Sequence, residues 1–234
     1  MGPPDPRDHV AGTGAGTVAG TVAIVFAGGD RPVAADLPTP TRGDLVIAAD
    51  SGLEHARALG VPVDLVVGDL DSVDPAALDA AVADGAVVER HPAAKDATDL
   101  ELALDAAVGR DATAVLVVGV GGGRLDHFLG NVLLLASPRY AHVRVDARIG
   151  DAFVTVVHER VELTGAPGGL CSLLPLGGPA SGVLTDGLRF PLRGEMLPPG
   201  TTRGVSNEFL GTHATVSLDD GVLLAVIPDP GKAS

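Results

Sequence analysis

Ala114-Val115-Leu116-Val117-Val118-Gly119-Val120-Gly121-Gly122-Gly123-Arg124-Leu125-Asp126-His127 reads as a strand, a glycine loop and the opening of a helix. The run from Ala114 to Val118 has no polar side, as expected of a parallel strand covered on both faces. The helix after it, expected over Asp126–Ala136, sets Leu125, Leu129, Val132, Leu133 and Ala136 at helical spacing, the pattern of a core-facing stripe. The same order recurs on either side. Strands are expected at Thr21–Ala27, Leu45–Ala49, Leu65–Val67, Ala86–Arg90 and Val143–Asp146. Helices are expected at Leu53–Leu59, Pro75–Ala83 and Asp99–Val108, the last with Leu100, Ala103, Leu104, Ala107 and Val108 in a stripe. Strand and helix in alternation predict an α/β domain with a mostly parallel sheet over residues 21–149.

Beyond Ile149 the helical period disappears. Strand-length runs remain at Phe153–Val157, Leu170–Leu176, Gly182–Thr185, Thr212–Leu218 and Val222–Ile227, separated by Gly and Pro. Residues 150–230 are therefore expected to form an all-β sandwich, with Asp219-Asp220-Gly221 as a hairpin turn between the last two strands. Residues 1–20, rich in Pro, Gly, Thr and Ala without period, have the composition of a flexible leader.

The 234 residues carry a net charge of −14, from 16 Lys+Arg against 30 Asp+Glu. A field of that sign repels polyanions, so nucleic acid and anionic membrane are poor partners. No apolar run reaches the ~20 residues of a membrane-spanning helix. The apolar stretch Thr17–Ala27 is preceded by Asp5, Arg7 and Asp8 and runs into a folded pattern, which argues against a signal peptide. The single cysteine, Cys171, lies in an apolar run and is expected to be a buried, inert thiol, in keeping with a cytoplasmic setting. Only Lys95 and Lys232 are lysines, and Lys232 stands at the chain end.

Carboxylates and glycines gather after the strands. In Gly68-Asp69-Leu70-Asp71-Ser72, an extended chain would turn Asp69 and Asp71 to one side, giving a hard oxygen site suited to Mg²⁺. In Lys95-Asp96-Ala97-Thr98-Asp99-Leu100-Glu101, Thr98 and Glu101 have the spacing of a capping box, which puts Asp99 at the first helical position. A third carboxylate there would complete a metal site, with Lys95 in reach of phosphate oxygens. Glycines 119 and 121–123 allow backbone amides to approach an anion, Arg124 adds a planar fork, and Asp126 is a candidate N-cap. Asp50-Ser51-Gly52 has the same placement between strand and helix. The glycine string Gly14–Ala19 precedes the first strand, so it is not a dinucleotide fingerprint, and no Walker A loop occurs. Asp69-Leu70-Asp71-Ser72-Val73 also fits the nucleophile motif of haloacid-dehalogenase-like phosphatases, which keeps a Mg²⁺-dependent phosphatase as one alternative. A non-catalytic nucleotide-binding dimer is another.

Taken together, Ala49–Gly52, Pro62–Asp64 with Gly68–Ser72, Asp96 with Thr98–Leu100, Gly122–His127 with Asn131, and Ser206-Asn207-Glu208 resemble the thiamine pyrophosphokinase family in order and spacing. The resemblance implies an α/β catalytic domain followed by a β-sandwich domain, a homodimer with active sites at the subunit interface, and transfer of the pyrophosphoryl group of ATP to thiamine with release of AMP. It implies Asp69, Asp71 and Asp99 as Mg²⁺ ligands, and Asp50, Ser51, Gly52, Lys95, Asp96, Thr98 and Arg124 as the ATP-binding set. Asp71, Asp99 and Arg124 would be the catalytic residues. Asp126, Asn131, Ser206 and Asn207 would bind thiamine, the last two from the partner chain. Two departures stand out. Ser51 replaces the first glycine of the usual Asp-Gly-Gly, which requires a backbone there without positive φ. The Trp that animal members set against the thiamine ring is absent; Ala225 occupies its neighbourhood, and Phe209 and Phe128 are the candidate replacements.

Overall fold

The computed structural model describes residues 20–32, 37–38, 40–41, 43–94 and 96–228. The expected leader and Lys95 lie outside the described residues. The described residues divide into two compact units, one built from 20–134 with 142–150, the other from 135–141 with 151–228.

In the first unit β1 (Thr21–Phe26), β2 (Leu45–Ala49), α1 (Gly52–Ala58), β3 (Leu65–Gly68), α2 (Pro75–Ala83), β4 (Val87–Arg90), α3 (Asp99–Val108), β5 (Ala112–Val118), α4 (Leu125–Leu135) and β6 (Arg144–Ile149) follow in order. The strands lie side by side as β6-β5-β1-β2-β3-β4, every pair parallel. Val22–Phe26 and Ala114–Val118 are buried without interruption, the consequence of helices covering both faces. One apolar cluster joins Ile24, Phe26, Val46, Ala56, Leu116 and Val118, and another joins Ala48, Leu53, Val66, Leu70, Val73, Ala77, Ala81 and Ala86. Asp74 caps α2 by accepting from Ala76 N at 3.1 Å, and Thr98 Oγ1 caps α3 by accepting from Glu101 N at 3.2 Å.

The expected core stripe of α4 is not realised. Leu125, Leu129 and Leu133 are 70%, 51% and 59% exposed, and within the helix only Leu135 is buried. Spacing of i, i+4, i+8 places these leucines on one side as read, but that side faces solvent rather than the sheet.

The second unit holds β7 (Ala152–Val157), β8 (Arg160–Thr164), β9 (Leu170–Pro175), β10 (Ala180–Asp186), β11 (Arg193–Leu197), β12 (Asn207–Glu208), β13 (His213–Ser217) and β14 (Leu223–Ile227). A four-stranded sheet β11-β10-β13-β8 faces a second layer, β12-β9-β14-β7, and both are antiparallel. Phe153, Leu173, Leu223 and Ile227 from one sheet meet Leu163, Val183, Leu197 and Val216 from the other in a single core. Cys171 sits in that core, and burial pushes its thiol up to about 12.

Asp219-Asp220-Gly221 is not a hairpin turn. β13 pairs with β8 and β10 while β14 pairs with β7 and β9, so this segment carries the chain from one sheet to the other. Its backbone bonds go to Ser181 instead: Ser181 N donates to Asp220 O and Asp219 N donates to Ser181 O, each at 2.9 Å. Gly221 has φ 97, and a Cβ there would lie 2.4 Å from Pro179 O, so the turn residue is required for a crossing rather than for a reversal. Among the described residues no helix is long and apolar enough to cross a membrane.

Candidate active site

A cleft of about 630 Å³ opens in the first unit where the parallel strands end. The C-terminal edge of such a sheet is where adjoining loops diverge and leave room for a ligand. Asp50 and Ser51 reach it after β2, Asp69, Asp71 and Ser72 after β3, Thr98 and Asp99 at the start of α3, and Gly122, Gly123 and Arg124 after β5. His127, Phe128 and Asn131 line it from α4.

Asp50, Asp69 and Asp71 each bring a carboxylate oxygen within 4.8 Å of the others. The expectation that Asp69 and Asp71 share a side holds, but an extended chain is not the cause. Leu70 adopts φ 61 with its side chain 7% exposed in the core, so the chain turns between the two aspartates and closes on itself through Asp71 N, which donates to Asp69 Oδ1 at 3.3 Å. A left-handed leucine is uncommon. Here the buried side chain holds it in place. The converging trio holds Asp50 in place of the expected Asp99, which stands beside it. A Cβ on Gly68, at φ 146, would stand 2.9 Å from Asp99 Oδ1 and 3.3 Å from Asp50 Cβ, so glycine at the strand end is what admits both acids. Burial first, then the charges of Asp99, Asp69 and Asp71, hold the Asp50 carboxyl above its ordinary range, although the backbone N–H of Ser51 pulls it down. Asp50 Oδ1 is buried with no hydrogen-bond partner. Clustered carboxylates with one buried, unpartnered oxygen are the donor set a hard divalent cation satisfies.

The departure at Ser51 is harmless. Its backbone is right-handed, φ −60 and ψ −5, at the N-cap of α1, and the positive φ falls on Asp50 instead, at 47. Gly52 is buried against Phe26 O, where a Cβ would come within 2.0 Å, so it shapes the turn without lining the cleft. Asp96 is exposed and away from the lining. Asp126 is not the N-cap of α4 but lies within its first turn, and Arg124 holds it bidentately, Nε to Oδ1 at 3.1 Å and Nη2 to Oδ2 at 2.5 Å. That hydrogen-bonded guanidinium lowers the Asp126 carboxyl below its usual range. The two side chains are 71% and 64% exposed, where such a pair is weak and an incoming phosphate can compete for the fork.

In the second unit Ser206 is exposed at φ 56, its N–H donating to Ser172 Oγ at 3.0 Å. Its neighbours are packed into the fold. A Cβ on Gly204 would be 2.4 Å from Leu173 O, and Asn207 is 3% exposed. The Asn207 amide accepts from Phe190 N at 2.9 Å and donates to Phe190 O at 2.8 Å, fixing one loop to another. Phe209 is 2% exposed and Ala225 fully buried, so neither presents a surface to a ligand, whereas Phe128 lines the cleft.

Gly28 and Gly29 also line the cleft and were not among the expected residues. Glycines directly after a strand, as at 119–123, were the available signal. β1 continues past its last residue alongside the glycine loop: Gly29 N donates to Gly119 O at 2.8 Å and Asp30 N to Gly121 O at 2.6 Å. A Cβ on Gly29 would fall 2.2 Å from Gly121 O and 2.5 Å from Gly119 O. Gly29→Ala is therefore expected to displace the loop, lowering stability by about 1–3 kcal/mol, as overpacking does, and activity with it. Thermal unfolding and turnover measured on the same preparation check this.

A parallel sheet with acids and glycine loops at its C-terminal edge is followed along the chain by a β-sandwich. The thiamin pyrophosphokinase catalytic domain matches residues 41–146, and the vitamin B1 binding domain of thiamin pyrophosphokinase matches residues 158–223. The chain belongs to the thiamin pyrophosphokinase family. It is 28% identical to thiamine pyrophosphokinase of Bacillus subtilis over 86% of this chain and 96% of that one. The crystal structure of the Bacillus subtilis enzyme superposes with a TM-score of 0.75, covering 89% of this chain and 99% of that chain at 25% identity. That of a family protein from Enterococcus faecalis gives 0.74 at 26% identity, over 88% and 98%.

Proposed function

We propose that this chain makes thiamine diphosphate from thiamine and ATP by moving the pyrophosphoryl group as a unit. The thiamine hydroxyl oxygen attacks the β-phosphorus, the bond between that phosphorus and the α,β-bridging oxygen breaks, and AMP leaves with that oxygen. The observation that carries the reading is the convergence of Asp50, Asp69 and Asp71 within 4.8 Å, with Asp99 beside them, in a cleft edged by Gly28-Gly29 and Gly122-Gly123. Asp69, Asp71 and Asp99 would hold Mg²⁺, with Asp50 completing the group. When bound, the ion neutralises charge on the triphosphate. The rest is positioning, the larger part of phosphoryl-type catalysis. Glycine amides fit the phosphates, Arg124 exchanges Asp126 for phosphate oxygens, Lys95 adds positive charge, and Asp126 and Asn131 face the vitamin. The phosphatase and binding-only alternatives find no support, since both matched domains belong to thiamin pyrophosphokinase.

A homodimer belongs to the same reading, with Ser206 of one chain offered to the cleft of the other, while Asn207, buried and bonded to Phe190, holds the loop that presents it rather than meeting the ligand. The exposed leucines 125, 129 and 133 support it, because an apolar stripe on a helix beside the cleft is stabilised by a second surface. The buried thiol of Cys171 suits a cytoplasmic enzyme.

Incubation with ATP, thiamine and Mg²⁺, followed by nucleotide chromatography, is expected to yield thiamine diphosphate and AMP in equal amounts. ADP as co-product would mean single phosphoryl transfer. Phosphate release from an ester without ATP would restore the phosphatase.

A further inference from the structure

The two loops that carry the clustered aspartates lead into helices that are tied to each other. Asp50 precedes α1, and Asp69 and Asp71 precede α2. Glu54, in the first turn of α1, accepts the backbone N–H of Asp74 at 2.8 Å through Oε1. One turn on, Arg57 Nη1 donates to Ala77 O at 3.0 Å. Glu54 grips the end of the acidic loop, at the N-cap of α2, whereas Arg57 grips the helix body.

The loop between Gly68 and Asp74 stands in need of such a hold. Leu70 at φ 61 is a conformation that surrounding structure must enforce, and relaxing it would swing Asp69 and Asp71 apart. Leu70 and Val73, each 7% exposed, pack inward with Leu53 and Ala77 and anchor the loop from inside. Glu54 is its polar anchor. Its other oxygen, Oε2, is buried with no hydrogen-bond partner, a position that is unfavourable for a carboxylate in itself. A glutamate kept there at that expense, bonded to the one loop whose shape sets the spacing of two aspartates, points to a task beyond packing.

We propose that Glu54 is a positioning residue for the acidic cluster: by holding Asp74 N–H it keeps Asp69 and Asp71 converged on Asp50 and so sets the cluster's affinity for a divalent cation. This rests on the reading above that the cluster holds such an ion. Removing partners that orient a metal ligand weakens binding by about 10–100-fold in comparable sites.

The test is Mn²⁺ binding to the full chain without nucleotide, followed by electron paramagnetic resonance, with melting temperature recorded for every variant. Glu54→Leu is expected to raise the Mn²⁺ dissociation constant about tenfold or more. Glu54→Gln keeps the acceptor oxygen and is expected to stay near wild type. Asp74→Pro removes the same hydrogen bond from its other end at a residue whose φ is already −60, and is expected to weaken Mn²⁺ as Glu54→Leu does, whereas Asp74→Ala, which loses the same cap on α2 but keeps the N–H for Glu54, is expected to hold Mn²⁺ near wild type, so the inference stays testable should Glu54→Leu not fold. Arg57→Leu breaks the neighbouring tie and is expected to lower the melting temperature without moving the Mn²⁺ constant. Unchanged affinity in Glu54→Leu or in Asp74→Pro, or equal weakening in Arg57→Leu, overturns the inference. Failure of the wild-type chain to bind Mn²⁺ overturns the metal reading as well.

Discussion

Asp99→Asn is expected to abolish turnover, by at least about 100-fold, in a protein that folds and melts almost as wild type does. The carboxylate lies beside Gly68 and Asp50, while the cap of α3 is made by Thr98 Oγ1, so asparagine at 99 removes charge from the cleft without uncapping the helix. An effect confined to the helix macrodipole would be no more than ~1 kcal/mol of stability with near-normal activity. Thr98→Ala, at a residue that itself lines the cleft, is compared through melting alone and is expected to lose about 1 kcal/mol of helix stability through the cap, which Asp99→Asn keeps. Steady-state rates at saturating Mg²⁺, with calorimetry on both variants, separate the two. Wild-type turnover in Asp99→Asn would remove this residue from the site.

Mixing two inactive chains is expected to restore activity if the cleft of one protomer is completed by the loop of another. Asp71→Asn disables the acidic cluster. On the other side Ser206 is the better target than Asn207, whose amide bonds both backbone groups of Phe190 and whose loss would loosen two loops. Ser206 is exposed at φ 56, and Ser206→Lys, unbranched at Cβ, keeps the loop while putting a positive charge where the cationic thiamine would lie. Random exchange makes half the dimers mixed, each with one intact site, so about a quarter of wild-type activity should return. An active Ser206→Lys homodimer, or no recovery despite demonstrated exchange, would put the loop outside the site.

The first unit was largely legible because its signals are local. Pro75–Ala83 and Asp99–Val108 form the helices expected of them, bounded by Asp74 and Thr98 as caps. The sandwich was less so. Val161 and Leu163 alternate with polar neighbours in β8, yet Arg160–Thr164 is a short run between loops, and β12 is only Asn207–Glu208. Turn chemistry at 219–221 was read correctly as a turn and wrongly as a reversal, because residue type sets φ but not which strand the chain meets next. Within the cleft the aspartates could be found from their placement after strands. The left-handed Leu70 that brings them together could not, since it depends on burial among Leu53, Val73 and Ala77.

The run of β1 past Phe26 into the glycine loop also fixes a timetable. β1 precedes its partner β5, and with it Gly119 and Gly121, by three helices and three strands of chain. Until then β1 has one open edge, and Gly28-Gly29 has nothing to lie against. The cleft is thus finished late, when the chain closes the parallel pairing of β1 with β5. A ligand that recognises only the closed form should slow unfolding of the finished domain and leave the rate of folding unchanged.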